Sequence, residues 1–150
     1  MKSFQKTFFV PGIPRQGGSK TPFRNPKTGK INIVDASRKT KEWRSVVALT
    51  AFEAMKGKEP TRLPVNLRVI FYMPRPKSHY KTGKHAGELK ENAPIFHTNT
   101  PDATKLMRST EDALTGILWH DDAQVAVQMA VKKYGESPGA RIIFCVINEI

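Results

Sequence analysis

Apolar and polar positions alternate in some parts of this chain and follow a helical period in others. KSFQKTFFVPG alternates and then runs apolar through Phe8, Phe9 and Val10 before Pro11-Gly12 stops it, which predicts a first strand. From Ser37 to Met55 the residues Trp43, Val46, Val47, Ala51 and Ala54 recur at helical spacing, with Gly57 as a stop, so a core helix is expected there. PVNLRVIFYMP alternates Val65, Leu67, Val69 and Phe71 against polar or mixed neighbours, the pattern of a strand with one face in the core. After Asp121-Asp122, AQVAVQMAVKKY and ARIIFCVIN read as two strands joined by GESPG, expected to pair as an antiparallel hairpin.

A second helix is announced by Thr100-Pro101. Thr100 serves as a cap, Pro101 as the first helical residue, and Asp102 falls in the first turn near the positive end of the dipole. The helix is expected to run to about Leu114, where Thr115-Gly116 ends it. At about 100° per residue, Ala103, Leu106, Thr110, Ala113 and Leu114 share one arc, and Lys105, Arg108, Ser109 and Asp112 the opposite one. The order β-α-β-α-β-β predicts an α+β fold, a mixed β-sheet with two main helices on one face, and 150 residues suit a single domain over 1–150. Two stretches, about 11–36 and 75–99, lack any period and are rich in Gly, Pro and basic residues. They are expected to be long surface loops, the first holding a short hairpin about Thr28-Gly29.

Charge changes this picture from a fold to a class of partner. Lys and Arg number 25 against 13 Asp and Glu, a net charge of +12. The excess is concentrated: Arg15 to Arg44 holds nine basic residues and two acids, and Arg75 to Lys90 holds five more with His79 and His85. Such stretches suit the phosphates of a nucleic acid. No apolar run approaches the ~18 residues of a membrane span, and the N-terminus is too short and charged for a secretory signal. No membrane is therefore expected, and a cytoplasmic location is. The single cysteine, Cys145, has no intrachain partner and sits in an apolar run, where a buried, inert thiol is expected.

The acids are concentrated too, five of the 13 falling between Asp102 and Asp122. If they converge, they repel one another unless a cation or protons neutralise them. Hard oxygen ligands without a His/Cys set favour Mg²⁺, with Mn²⁺ as the alternative, and such a site activates a water for attack on a phosphodiester. Lys105 or Arg108 would neutralise charge developing on the phosphoryl oxygens. Asp121-Asp122 can approach Asp102 within the chain only if TGILWH runs as a return segment. The plainer alternative makes Asp102 a dipole partner and the Asp-Asp pair a turn. His97 and His120 flank the acids without an HxxxH pairing or a Cys and read as structural.

The block HTNTPDATKLMRSTEDALTGILWHDDAQV, His97 to Val125, resembles the signature region of the RusA family of crossover (Holliday) junction endodeoxyribonucleases, found in bacteria and their phages. That pattern is an HT pair, PD-x-D-[NK]-L, a basic residue, D-A-L-[NT]-G, a Trp, and DD-[SA]-Q-[VI]. VPGIPRQGGSKTPF and RKTKEWRSVVALTA are similar to the family's opening and first helix. The resemblance implies a Mg²⁺-dependent, homodimeric nuclease that resolves four-way junctions in branched DNA by paired nicks. It implies catalytic and metal-binding roles for Asp102 and Asp122, with Asp121 a weaker metal ligand. Two positions depart from the pattern. The family's second Asp falls on Thr104, and its essential Lys on Arg108, which keeps the charge as a planar phosphate clamp that Lys105 can share. Thr104 leaves three readings: waters or its own hydroxyl complete the metal shell; another acid, Asp112 or Asp121, substitutes; or the protein binds junctions without cutting, as a branched-DNA architectural protein.

Overall fold

The computed structural model describes residues 4–17, 21–34 and 38–148; Ser37, the expected start of the first helix, and Lys20 of the basic stretch lie outside them. In chain order the elements are β1 (Gln5–Pro11), β2 (Thr21–Arg24), β3 (Ile31–Val34), α1 (Arg38–Met55), β4 (Val65–Met73), α2 (Ala103–Leu114), β5 (Val125–Tyr134) and β6 (Gly139–Val146). This is the expected α+β fold in the order β-α-β-α-β-β, with β2 and β3 forming a separate antiparallel ribbon inside the first basic stretch. The ribbon turns at Thr28-Gly29 as expected. Gly29 takes φ 69°, its amide donates to the Asn25 carbonyl at 2.8 Å, and Asn25 N–H donates to Lys30 O at 2.9 Å.

The main sheet runs β1-β6-β4-β5. The expected hairpin of β5 with β6 does not form, because β4 lies between them, parallel to β5 and antiparallel to β6. The reason is burial. Val65, Leu67, Val69, Phe71 and Met73 on one face of β4 are all buried, and a strand with so much apolar surface belongs inside the sheet, where both its edges are paired. The short link after β5 crosses the end of β4. There Gly135 N–H donates to Met73 O at 3.0 Å, and a Cβ on Gly135 would come within 3.0 Å of the Tyr72 side chain.

Both helices meet the buried side of the sheet. The inward stripe of α1 is Thr40, Trp43, Val47, Ala51 and Met55; Val46 faces out beside Leu49 and Phe52. The Trp43 indole N–H donates to Thr110 Oγ1 across the helix pair at 3.2 Å. On α2 the expected arc is right for Leu106, Thr110 and Leu114 but not for Ser109, which is fully buried under Gly17 of the basic loop. Trp119 is also wholly buried, its N–H held by Thr115 Oγ1 at 3.0 Å. At about 25 cal/mol per Å², an aromatic ring of that area contributes several kcal/mol of transfer free energy. Cys145 is only half-buried, on the more open sheet face in register with Gln5 and Asn66, rather than in the core. Among the described residues no helix is long and apolar enough to cross a membrane.

Candidate active site

Asp102 stands at the N-terminal tip of α2, as its cap rather than in its first turn, and Pro101 precedes the helix across a cis peptide bond. The exposed carboxylate makes no capping bond, while its carbonyl accepts from Leu106 N–H at 3.0 Å. The loop leading into it is held from β5. Lys132 Nζ donates to Asn99 O at 2.7 Å and to Pro101 O at 2.8 Å, and His97 N–H donates to Lys132 O at 3.1 Å. Beside this clamp the rings of His97 and His79 both meet Tyr134 edge-on, at 5.1 and 4.8 Å. Arg75 lies over the same tyrosine and donates to Pro94 O at 2.6 Å. Burial, then the Lys132 charge, lowers the His97 pKa below its ordinary value, so the imidazole is neutral at pH 7.

The Asp121-Asp122 pair is positioned by a different part of the fold. TGILWH is a tight turn rather than a return segment: Gly116 N–H donates to Trp119 O at 2.7 Å, and Thr61 N–H to Leu118 O at 3.0 Å. The pair therefore stays at the C-terminal end of α2. Asp121 Oδ1 accepts from Ala123 N–H at 2.9 Å, and this bond is the main cause that holds its pKa below the usual range. Gln124 locks the turn from both ends of its amide. Its Oε1 accepts from His120 and Asp121 N–H, each at 2.9 Å, and its Nε2 donates to Thr61 O and Leu63 O at 2.9 and 3.0 Å. Asp122 is exposed and has no capping role, which leaves its carboxylate available.

The acid next to Asp122 is Glu111. Burial first, then the Asp122 and Asp112 charges, raise the Glu111 pKa, opposed by a 2.7 Å bond from Gln128 Nε2. Asp112, one of the acids expected to substitute for the missing ligand, instead faces Arg44 at 3.7 Å. A raised carboxyl pKa favours the folded state while the group is protonated, and that contribution is lost as pH rises through the folded value. Glu111→Gln should therefore melt above the wild type at pH 7 and level with it near pH 4. The expected gap is roughly 1–2 °C, the scale of about 0.5 kcal/mol at a half-exposed position in a chain of this length. Melting curves at the two pH values check it.

The two acid sites do not converge within one chain. The 12 residues of α2 separate Asp102 from the Asp122 end by about 18 Å at 1.5 Å per residue. Among the described residues no three His, Cys, Asp or Glu side chains stand close enough to hold a metal ion. Thr104 and Arg108 are exposed on α2 with Glu111 on the same face, and Lys105 is half-buried beside the basic loop. The donor set is nevertheless right for a hard cation, since Asp122 and Glu111 offer only carboxylate oxygens whose repulsion a divalent ion would relieve.

The sequence matches the family model of the endodeoxyribonuclease RusA over residues 17–144. The chain belongs to the RusA endodeoxyribonuclease family. It is also 31% identical over 137 residues, 91% of this chain and 92% of the other, to a Bacillus subtilis (strain 168) protein called uncharacterized protein YqaN. RusA membership makes the chain a nuclease of a metal-dependent family that acts on branched DNA junctions.

In this RusA-family chain the segment Gly12 to Gly17 of the first basic stretch is pinned to the rest of the fold. Gly12 N–H donates to Pro138 O at 3.1 Å, Gly17 N–H to Lys105 O at 2.9 Å, and Thr40 Oγ1 to Gln16 O at 2.9 Å. Gly17 has no room for a side chain, since a Cβ would meet Ser109 and Arg44 at 3.0–3.1 Å. Sequence reasoning missed Glu111, Lys132 and Gln124. The signals were a glutamate next to the expected Asp112, a lysine pair inside an otherwise apolar strand, and the Gln of DD-[SA]-Q, whose role only the turn geometry discloses.

Proposed function

We propose that this chain resolves four-way DNA junctions by paired nicks, as a homodimer whose metal sites each draw carboxylates from both protomers, residues 1–150 acting as one nuclease domain. The observation that carries this is the placement of the acids at opposite ends of α2, alongside a strand with a free edge. β5 is the outermost strand, and residues 95–97 cover only its end at Lys132 to Tyr134. From Val125 to Val131 its edge carries no partner strand among the described residues, and Val127 and Met129 are 44% and 53% exposed. An apolar edge of that length is a template for strand addition, and antiparallel pairing of β5 with its own copy is the two-fold solution.

The register follows from the loop clamp. With Gln128 at the axis, Val131 of one strand pairs with the partner's Val125, which sets Lys132 next to the partner's Gln124. Lys132 holds the loop into Asp102, and Gln124 locks the Asp121-Asp122 turn. Pairing thus brings Asp102 of each protomer toward the partner's Asp122. A bound Mg²⁺ or Mn²⁺ supplies a water of lowered pKa and polarises the phosphodiester. Asp102 and Asp122 would hold that ion, and Asp121, tied into its cap, serves mainly to shape the turn. Arg108 and Lys105 neutralise the phosphoryl oxygens. Thr104 then matters less, because the coordination positions it leaves open are ones that Mg²⁺ ordinarily fills with water.

A synthetic four-way junction incubated with the chain and Mg²⁺ or Mn²⁺ should yield two symmetric nicks, none in excess chelator, and the chain should sediment as a dimer. Specific junction binding without metal-dependent cleavage, by protein shown to be folded, would overturn the catalytic reading in favour of a junction-binding architectural protein.

A further inference from the structure

Beside Asp102 the molecule holds a cavity of about 410 Å³ that the hydrolysis does not use. It opens between the pinned loop at Ile13 to Gln16 and the loop at Thr100-Pro101, so its rim is the segment that carries the carboxylate. The volume falls within the range of small-molecule sites, roughly 300–1,000 Å³. Its walls have an uncommon composition. Pro14, Pro74, Pro101 and His97 present rigid rings, and Arg15 and Gln16 supply polar groups among them. His97 Nδ1 is shielded from solvent yet has no hydrogen-bond partner. A buried polar atom without a partner costs free energy that a ligand atom would recover.

We propose that this cavity receives one unpaired nucleobase of the cleaved strand, extruded at the branch next to the scissile phosphate; the inference rests on the junction-nuclease reading above. The chemistry fits a flat heteroaromatic ring with polar edges. The ring walls stack on its faces, and the neutral His97 imidazole offers a ring nitrogen to its edge. Arg15 and Gln16 add the donor forks and amide that read base edges. A phosphate alone would leave the ring walls unused, and an apolar ligand would leave the His97 nitrogen unpaired. Four-way junctions supply such a base cheaply, because stacking is already interrupted at the branch. The position also yields a function: a base seated behind Pro101 fixes its own phosphate at Asp102, so cutting depends on which base enters.

The test places 2-aminopurine, one position at a time, at the nucleotides flanking the mapped nick, and binds the junction without divalent metal. A several-fold rise in fluorescence at one position on binding is expected. Pro74→Trp, which adds an indole at an exposed part of the cavity wall and lies outside the metal and phosphate groups, should abolish that rise while leaving junction affinity within about threefold. An abasic analogue at the same position should slow cleavage by the wild-type chain about tenfold, a readout that does not depend on any variant folding. If the wild-type chain binds and nicks the junction while 2-aminopurine stays quenched at every flanking position, the inference is wrong and the nuclease reading stands. A rise that survives in folded Pro74→Trp overturns it as well. If the wild-type chain neither binds nor cuts, both readings fail together.

Discussion

Asp102→Asn and Asp122→Asn should each lower the rate of junction cleavage by about 10³-fold or more, close to 4 kcal/mol of barrier at 1.36 kcal/mol per decade. Both side chains are exposed and neither supports the core, so the folded state should be unchanged. Junction affinity should hold or rise, because each substitution removes a negative charge from a surface that faces phosphates. Single-turnover cleavage with excess protein, alongside a binding titration without metal, separates the two effects. Normal cutting by either variant would show that its carboxylate is not a ligand. The same loss with junction binding abolished would point to a structural role instead.

Mixing the two inactive variants should restore activity. If each metal site takes Asp102 from one protomer and Asp122 from the other, a mixed dimer holds one intact site and one that has lost both acids. An equal mixture with free exchange makes half the dimers mixed, so about a quarter of the wild-type sites return. The product should change as well, to single nicks rather than paired ones, because each mixed dimer has only one working site. A mixture that stays as inactive as its components, with exchange verified by differently sized tags, would put both acids back in one protomer. The 12-residue length of α2 makes that outcome hard to accommodate without a large rearrangement.

The elements were legible because their signals are local. Val65, Leu67, Val69 and Phe71 alternate as a half-buried strand must, and Pro101-Asp102 marks the start of α2 to within two residues. Strand order was not legible. GESPG looks like a hairpin turn, and nothing nearby reports that β4, more than 50 residues upstream, occupies the place between β5 and β6. The same limit applied to the site. The signature gave Asp102 and Asp122 as residues of one motif, and motifs invite the assumption of contact. The tight turn at TGILWH keeps them at opposite ends of a 12-residue helix, and the sequence, equally compatible with a return segment there, did not disclose that turn. Glu111 stayed hidden because its importance comes from what the turn sets beside it. Ser109 was misplaced because the polar arc of an isolated helix says nothing about a glycine-rich loop packed against it.

That loop decides which partner must change shape. A basic segment free to sweep could follow DNA of many outlines and adapt to whatever it met. Here the segment from Gly12 to Gly17 is fastened at both ends, and Thr40 on α1 holds its penultimate carbonyl. Arg15 is carried on a fixed frame whose offset from Asp102 is set by the fold. On the junction-nuclease reading the protein then acts as a gauge: a branched molecule that can bend its arms to fit the spacing is positioned for cutting, and one too stiff to comply is held by its charge alone.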